Sequence, residues 1–72
     1  MEKTLAMEKL RYLLEHWIEH SKEHTAKYEE WGEKIKQDCP EISKKLKEAA
    51  KKFREGEKLL EEALKLVGGN HV

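Results

Sequence analysis

The stretch Gln37–Ile42, QDCPEI, is the place where the helical pattern of the chain breaks. Asp38 can cap a new helix, Pro40 suits its first turn, and Glu41 stands three residues after the cap, as in a capping box. The same proline disfavours a helical conformation at Cys39, so the preceding helix should end before it. The stretch therefore predicts a short turn between two helices.

Two long helices are predicted on either side of this turn. We expect a first helix over about 2–36, a turn over about 37–39, a second helix over about 39–67, and a tail over 68–72 that starts with two glycines. Helices joined by so short a turn are antiparallel neighbours. The sequence thus predicts a single all-α domain over residues 1–72, an antiparallel two-helix hairpin with coiled-coil-like packing.

Both predicted helices carry apolar residues at alternating steps of three and four, the rhythm of a coiled-coil seam. On the first helix the predicted seam is Leu10, Leu14, Trp17, Ser21, His24, Tyr28, Trp31 and Ile35. On the second helix it is Cys39, Ile42, Leu46, Ala49, Phe53, Gly56, Leu60, Ala63 and Val67. Large side chains on the first helix would face small ones on the second, which lets two helices interlock closely.

Further apolar residues lie off these seams, at the end of the hairpin beside the chain termini. Two helices alone cannot bury them, and the economical partner is a second copy. We therefore expect a homodimer that forms a two-fold four-helix bundle. The predicted dimer surface comprises Leu5, Met7, Tyr12, Leu13, Ile18, Leu59, Leu64 and Leu66. The alternative is that the glycine-rich tail folds over these residues.

The stretch His16–His24, HWIEHSKEH, places three histidines at intervals of four residues. Neutral imidazoles one helical turn apart can reach the same metal ion. Two ligand sets remain open: His16, His20 and Glu23 on the outer edge, or His20, His24 and Glu57 toward the partner helix. In a dimer each set could be doubled. Such ligands favour zinc, nickel, cobalt or iron over calcium or magnesium.

The same residues also have a simpler interpretation. His24 stands where a heptad expects a core residue, and Glu57 could accept a hydrogen bond from it or from His20, with His16 a solvated surface residue. HWIEH also matches the zinc-peptidase pattern H-x-x-E-H. A chain of 72 residues is too short to build a substrate cleft and to supply distant ligands. With no nucleophile–base pair either, we expect the protein not to be an enzyme.

Charge and hydropathy argue against several partners. Lys+Arg and Asp+Glu are equal at 15 each, so no net charge attracts nucleic acid or an acidic membrane. The basic row of the second helix alternates with glutamates at pairing distance and is interpreted as a solvated face; it comprises Lys44, Lys47, Lys51, Arg54 and Lys58.

The cellular setting expected from the sequence is the cytoplasm. No apolar run approaches the roughly 20 residues that cross a bilayer, and the first ten residues are not typical of a signal peptide. The lone Cys39 fits a reducing compartment. The excess of Glu and Lys over Asn and Gln is typical of proteins from hot environments.

The run Leu13–Lys34, LLEHWIEHSKEHTAKYEEWGEK, resembles a small uncharacterised family of archaeal and bacterial helical hairpins with the pattern L-L-x-H-W-x-x-H-x-x-x-H-x-x-x-[FY]-x-x-W. The marked positions are His16, Trp17, His20, His24, Tyr28 and Trp31, whereas Ser21 stands where the resemblance implies a polar residue such as Asn. The resemblance covers nearly the whole chain, although its second helix is marked only by Glu, Ala and Leu. It implies a helical hairpin without a particular activity, and it slightly favours a site at the histidines over a plain core.

Two functional hypotheses follow from these patterns. The first is a non-enzymatic cytoplasmic module that associates with itself or with another protein. The second is a protein that binds a divalent transition metal through the row His16, His20 and His24.

Overall fold

The structure is a computed structural model that describes residues 2–69, with side-chain environments over 5–67. Two helices, α1 (Glu2–Lys34) and α2 (Pro40–Gly69), pack against each other as a hairpin with extents of 56 × 15 × 15 Å. The predicted all-α hairpin is confirmed. α1 ends two residues earlier than predicted, and α2 continues through Gly68 and Gly69 instead of ending at residue 67. The remainder of the predicted tail, residues 70–72, lies outside the described part of the chain.

The turn covers residues 35–38 and is closed by backbone hydrogen bonds. The Ile35 amide donates to the Trp31 carbonyl at 3.0 Å, and the Cys39 amide donates to the Ile35 carbonyl at 2.7 Å. The Cys39 carbonyl in turn accepts from the Ser43 amide at 3.0 Å, immediately before the first helical residue Pro40. Cys39, rather than the predicted Asp38, is therefore the N-cap residue of α2.

The two helices meet along a line of residues that we call the seam. On α1 it comprises Leu14, Ile18, Ser21, Thr25, Tyr28, Gly32 and Ile35, and on α2 it comprises Ser43, Leu46, Ala50, Phe53, Glu57, Leu60, Leu64 and Val67. The three–four rhythm was predicted correctly, but each helix is rotated, so that several predicted seam positions are replaced by the residue that follows them. Trp17, His24, Trp31 and Ile42, predicted inside, are exposed.

The core of this seam is small and partly polar. Its buried apolar residues are Leu14, Ile18 and Ala50, and its buried polar residues are Thr25, Ser43 and Glu57. Ile18 was predicted on the dimer surface, but it is only 6% exposed because it points toward α2. Within the described residues, neither helix has a stretch long and apolar enough to span a bilayer.

Close approach of the helices near the turn depends on Gly32. The Ser43 hydroxyl donates to the Gly32 carbonyl at 2.7 Å. A Cβ atom at Gly32 would stand 3.2 Å from Cγ of Lys47 and 3.5 Å from the Ser43 carbonyl oxygen. The absence of a side chain therefore lets α1 and α2 touch at this end.

Candidate functional site: an apolar face with a histidine pair

One flank of the seam is charged. Three ion pairs join the helices there: Lys22–Glu61, Glu29–Arg54 and Glu33–Lys47. Arg54 binds Glu29 through two parallel hydrogen bonds, from Nε to Oε2 at 2.9 Å and from Nη2 to Oε1 at 2.7 Å. The hydrogen bond from Arg54 lowers the pKa of the Glu29 carboxyl. This charged flank thus links particular residues of α1 to particular residues of α2.

The opposite flank carries apolar residues from both helices. Lys22, Glu29, Arg54 and Glu61 each follow a seam residue, so the residues that precede seam positions lie on the other side. We call this side the apolar face. It comprises Leu10, Leu13, Trp17, His20, His24 and Trp31 of α1, with Ile42, Ala49, Gly56, Leu59, Ala63 and Leu66 of α2.

The large side chains of this face are extensively exposed: Trp17 is 46% exposed, Trp31 54% and Leu59 65%. On α1 they follow a second three–four rhythm, about 100° around the helix from the seam. Lys27 and Lys34 continue that rhythm, and the ammonium group of Lys34 lies 4.7 Å from the centre of the Trp31 ring. α1 therefore carries two rows of residues about a right angle apart, and each row can contact a neighbouring helix. The hairpin provides only one such neighbour, α2.

The predicted dimer surface is only partly on this face. Leu13, Leu59 and Leu66 belong to it, whereas Leu5 and Tyr12 are exposed elsewhere on α1. Met7 is exposed at the open end of the hairpin, Leu64 is half-buried at the seam and Ile18 is buried.

A row of rings crosses the apolar face and reaches the seam. The ring centroids of His16 and His20 are 6.1 Å apart, and those of His20 and His24 are 4.6 Å apart. His24 stacks on Tyr28 at 6.5 Å, and Tyr28 contacts Phe53 of α2 at 5.5 Å. The closest polar contact in the row joins Nε2 of His20 to Nε2 of His24 at 3.0 Å. These two nitrogens face each other on the exposed face of α1.

Glu57 lies in the seam at the same level of the hairpin. Its Oε2 atom accepts hydrogen bonds from the hydroxyl of Ser21 at 2.6 Å and from the hydroxyl of Thr25 at 2.7 Å. Its Oε1 atom is 3.6 Å from Nη1 of Arg54. Desolvation on burial raises the pKa of Glu57, but the two hydroxyl hydrogen bonds and the charges of Arg54 and Lys22 outweigh it and lower the pKa below its usual value. The ionised carboxylate is therefore the stable form in the folded hairpin.

The structure brings together only part of the residues proposed as metal ligands. His20 and His24 converge, whereas the carboxylate of Glu57 is held by Ser21 and Thr25. His16 is one ring further along the row, and Glu23 is exposed. Across residues 2–69, no group of three or more His, Cys, Asp or Glu side chains is placed to hold a metal ion. Sequence reasoning missed Ser21 and Thr25 as the partners of Glu57; their signal is hydroxyl residues one turn apart, facing a glutamate at a seam position.

Comparison with known proteins places these features in a family. Residues 10–67 match a family described as a domain of unknown function (DUF8180). The match runs from Leu10, at the start of the apolar face, to Val67, at the end of the seam. An uncharacterized protein of Archaeoglobus fulgidus is 56% identical to this chain over 62 residues, which are 86% of this chain and the whole of that relative. No solved structure matches the chain.

Proposed function

The chain belongs to the family described as a domain of unknown function (DUF8180), and we propose that it is a non-enzymatic cytoplasmic module that works by self-association. Two hairpins stack through their apolar faces and form an antiparallel four-helix bundle. The observation that carries this proposal is the imbalance between the small, partly polar seam and the large apolar side chains outside it.

The energetic argument concerns these exposed side chains. Burying one Leu or Phe-sized side chain contributes about 1.5–3 kcal/mol. The seam buries Leu14, Ile18 and Ala50, whereas Trp17, Trp31 and Leu59 remain largely in water. Packing a second hairpin on the apolar face would remove the two tryptophans and Leu59 from water without disturbing the residues buried in the seam. It would also cover Phe53, a seam residue that is 48% exposed and lies at the border of the face.

The surface area of the hairpin supports the same conclusion. Its accessible surface is 6165 Å². A compact monomer of 8.5 kDa would expose about 4,700 Å². The excess exceeds the roughly 800 Å² that each partner buries in a standard protein interface. A rod of two helices therefore has ample surface to form a stable dimer.

A second copy suits this face better than an unrelated partner. On α1 this face has Leu10, Leu13 and Trp17 toward one end, Trp31 toward the other, and His20 and His24 between them. A reversed copy would therefore set Leu13 near Trp31 and the histidine pair near its counterpart, with Lys27 and Lys34 opposite Trp17 and Leu10. On α2 the middle of the stripe is Gly56, where a Cβ atom would meet nothing within 4 Å. The formal net charge of zero also means that two copies do not repel each other at long range.

Sedimentation equilibrium over a micromolar-to-millimolar range tests the proposal. We expect a reversible dimer for the wild-type chain. Leu59→Glu should dissociate it, because a carboxylate would be buried in the interface. Tyr12→Glu is the matched control: Tyr12 is 69% exposed, as against 65% for Leu59, but it lies about 130° around α1 from the face.

Circular dichroism of both variants shows whether the hairpin itself remains folded. A wild-type chain that is monomeric throughout the range would overturn the proposal. Equal dissociation by both substitutions would overturn the assignment to the apolar face, and binding only to a different protein would replace the second copy as its occupant.

A further inference from the structure

We propose that His20 and His24 of two copies together form a four-histidine site for a divalent transition-metal ion, with Zn²⁺ and Ni²⁺ as the natural probes. The proposal rests on the self-association through the apolar face. Of the histidine row, only His20 and His24 are assigned to the site, and the second copy supplies the other two ligands.

The spacing of the pair already suits a metal ion. Zinc–imidazole bonds are about 2.0–2.1 Å long, so two nitrogens on one ion lie about 2.8–3.4 Å apart for bond angles near 90–110°. Nε2 of His20 and Nε2 of His24 are 3.0 Å apart. The separation therefore places both nitrogens within reach of one ion, provided that the rings turn so that both nitrogens face the ion instead of each other.

One member of the pair, His24, also packs toward the seam. The ring of His24 stacks on Tyr28 at 6.5 Å, and Tyr28 is held against Phe53 of α2. The pair occupies successive turns of a long helix, which fixes the separation of its backbone atoms. Imidazole nitrogen favours zinc, nickel, cobalt or iron over calcium and magnesium.

His16 does not belong to this pair. Its ring centroid is 6.1 Å from that of His20, whereas the rings of His20 and His24 are 4.6 Å apart. His16 also lies further around α1, outside the apolar face. It is therefore the natural control for a site built from His20 and His24.

A second copy can complete the coordination. Two imidazoles fill half of a tetrahedral zinc site, and no third ligand of the described chain converges on them. His20 and His24 flank the middle of the α1 stripe that runs from Leu10 to Trp31. A two-fold axis through this point, perpendicular to the helices, would bring the pairs of two reversed α1 helices together.

The second helix of the same face allows close approach at the same level. Glu57 contacts both Ser21 and Thr25, so the adjacent Gly56 lies level with His20 and His24. Because Gly56 has open space around it, two α2 backbones can approach where the histidine pairs meet.

Isothermal titration of Ni²⁺ or Zn²⁺ into metal-free protein tests the site. We expect one ion per two chains. His20→Ala and His24→Ala should each weaken binding by about 100-fold or more, since even outer partners of metal ligands contribute 10–100-fold. His16→Ala should leave the affinity within about threefold of the wild-type value, because a residue outside the coordination shell and its hydrogen bonds contributes little.

Sedimentation with and without metal separates this inference from the proposed function. A metal-free dimer that binds no ion would overturn the metal site and leave the self-association intact. One ion bound per monomer, or an equal effect of His16→Ala, would overturn the four-histidine arrangement. A chain that dimerises only with metal, at one ion per two chains, would support the site and overturn self-association of the metal-free protein.

Discussion

The two flanks of the seam are built from the same two helices but present opposite chemistry. On the charged flank, Glu29 and Arg54 satisfy each other across the helices through two hydrogen bonds. On the apolar face, Trp17 and Trp31 keep about half of their surface in water. Ion pairs thus join the helices along one flank, whereas the other flank presents mainly surface that water disfavours, interrupted by Lys27 and Lys34.

This difference assigns separate roles to the flanks. Exposed ion pairs add little stability, but their geometry selects one pairing of the helices. Apolar surface contributes more free energy but little directional preference. The charged flank therefore specifies how the hairpin closes, and the apolar face determines what the closed hairpin binds.

The largest expected effect follows from removing the aromatic side chains of the apolar face. The double substitution Trp17→Glu and Trp31→Glu should raise the Kd of the dimer by at least about 100-fold, since buried tryptophans are frequent hot spots worth about 2 kcal/mol or more. The concentration dependence of Tm measures this change, because a dimer melts at higher temperature as its concentration rises.

The matched control changes two residues on the charged flank. Glu29→Gln with Arg54→Gln removes two charges but leaves the apolar face intact, so Tm should keep its dependence on concentration. If this control abolished that dependence as fully as the tryptophan variant, the separation of roles between the flanks would be wrong.

A smaller but still large effect is expected in the seam that separates the flanks. Glu57→Ala leaves the Ser21 hydroxyl without its carboxylate acceptor and leaves the Thr25 hydroxyl only the Ser21 carbonyl, so we expect it to lower the free energy of unfolding by about 1–3 kcal/mol. Glu61→Ala removes an exposed ion pair with Lys22 and should cost about 1 kcal/mol at most. Urea denaturation measures both, and an equal loss would contradict the role assigned to the buried carboxylate.

Acid should remove the contribution of Glu57 selectively. Its folded-state pKa is lowered, so the ionised form stabilises the hairpin above the ordinary carboxyl value of 4.5, and this contribution is lost as the pH falls through the lower folded pKa. Hydrogen bonds from Arg54 and Lys47 also lower the pKa values of Glu29 and Glu33 respectively, so acid weakens the contributions of these two carboxylates as well. The relevant measurement is therefore the difference in Tm between wild type and Glu57→Gln.

That difference should shrink below pH 4.5, because Glu57→Gln removes one titrating carboxylate and retains the other two. A difference that stays constant from neutral pH into the acid range would contradict ionisation of Glu57 in the folded state.

The sequence was enough to predict the hairpin but not which side of each helix faces the other. Pro40 and the three–four rhythm located the turn and both helices within about two residues, as local signals usually do. The rotation was wrong because the apolar residues in the three–four rhythm, Trp17 and Trp31 among them, were expected inside, whereas the residues found there include Thr25 and Glu57. Hydroxyls and a carboxylate look like surface residues until their hydrogen bonds to each other are known.

The histidine pair also could not be predicted from the sequence pattern alone. A spacing of four residues predicts that His20 and His24 are near each other, but it predicts equally well that His16 and His20 are. The structure distinguishes these pairs by side-chain geometry, and His24 is also the ring that stacks on Tyr28, which contacts Phe53 of α2, distant in sequence.

The smallest expected effect comes from replacing one of two glycines, Gly56 on the apolar face or Gly32 in the seam. Alanine is preferred over glycine inside a helix by about 0.5–1 kcal/mol. A Cβ atom at Gly56 meets nothing within 4 Å in the hairpin, so Gly56→Ala should raise Tm in the monomeric tryptophan-substituted background. In the wild-type dimer the same methyl group would stand between two α2 helices, and the gain should shrink or reverse.

Gly32→Ala is the control, since its Cβ atom would lie 3.2 Å from Lys47 within the same hairpin. Its effect on Tm should therefore be the same in the monomer and the dimer, whichever sign it has, because α2 of the same chain provides the contact in both. Scanning calorimetry measures the change in Tm for each glycine substitution in both the wild-type and the tryptophan-substituted background. An identical gain from Gly56→Ala in both backgrounds would mean that no second backbone approaches Gly56, and the two-fold axis would have to lie elsewhere on the apolar face.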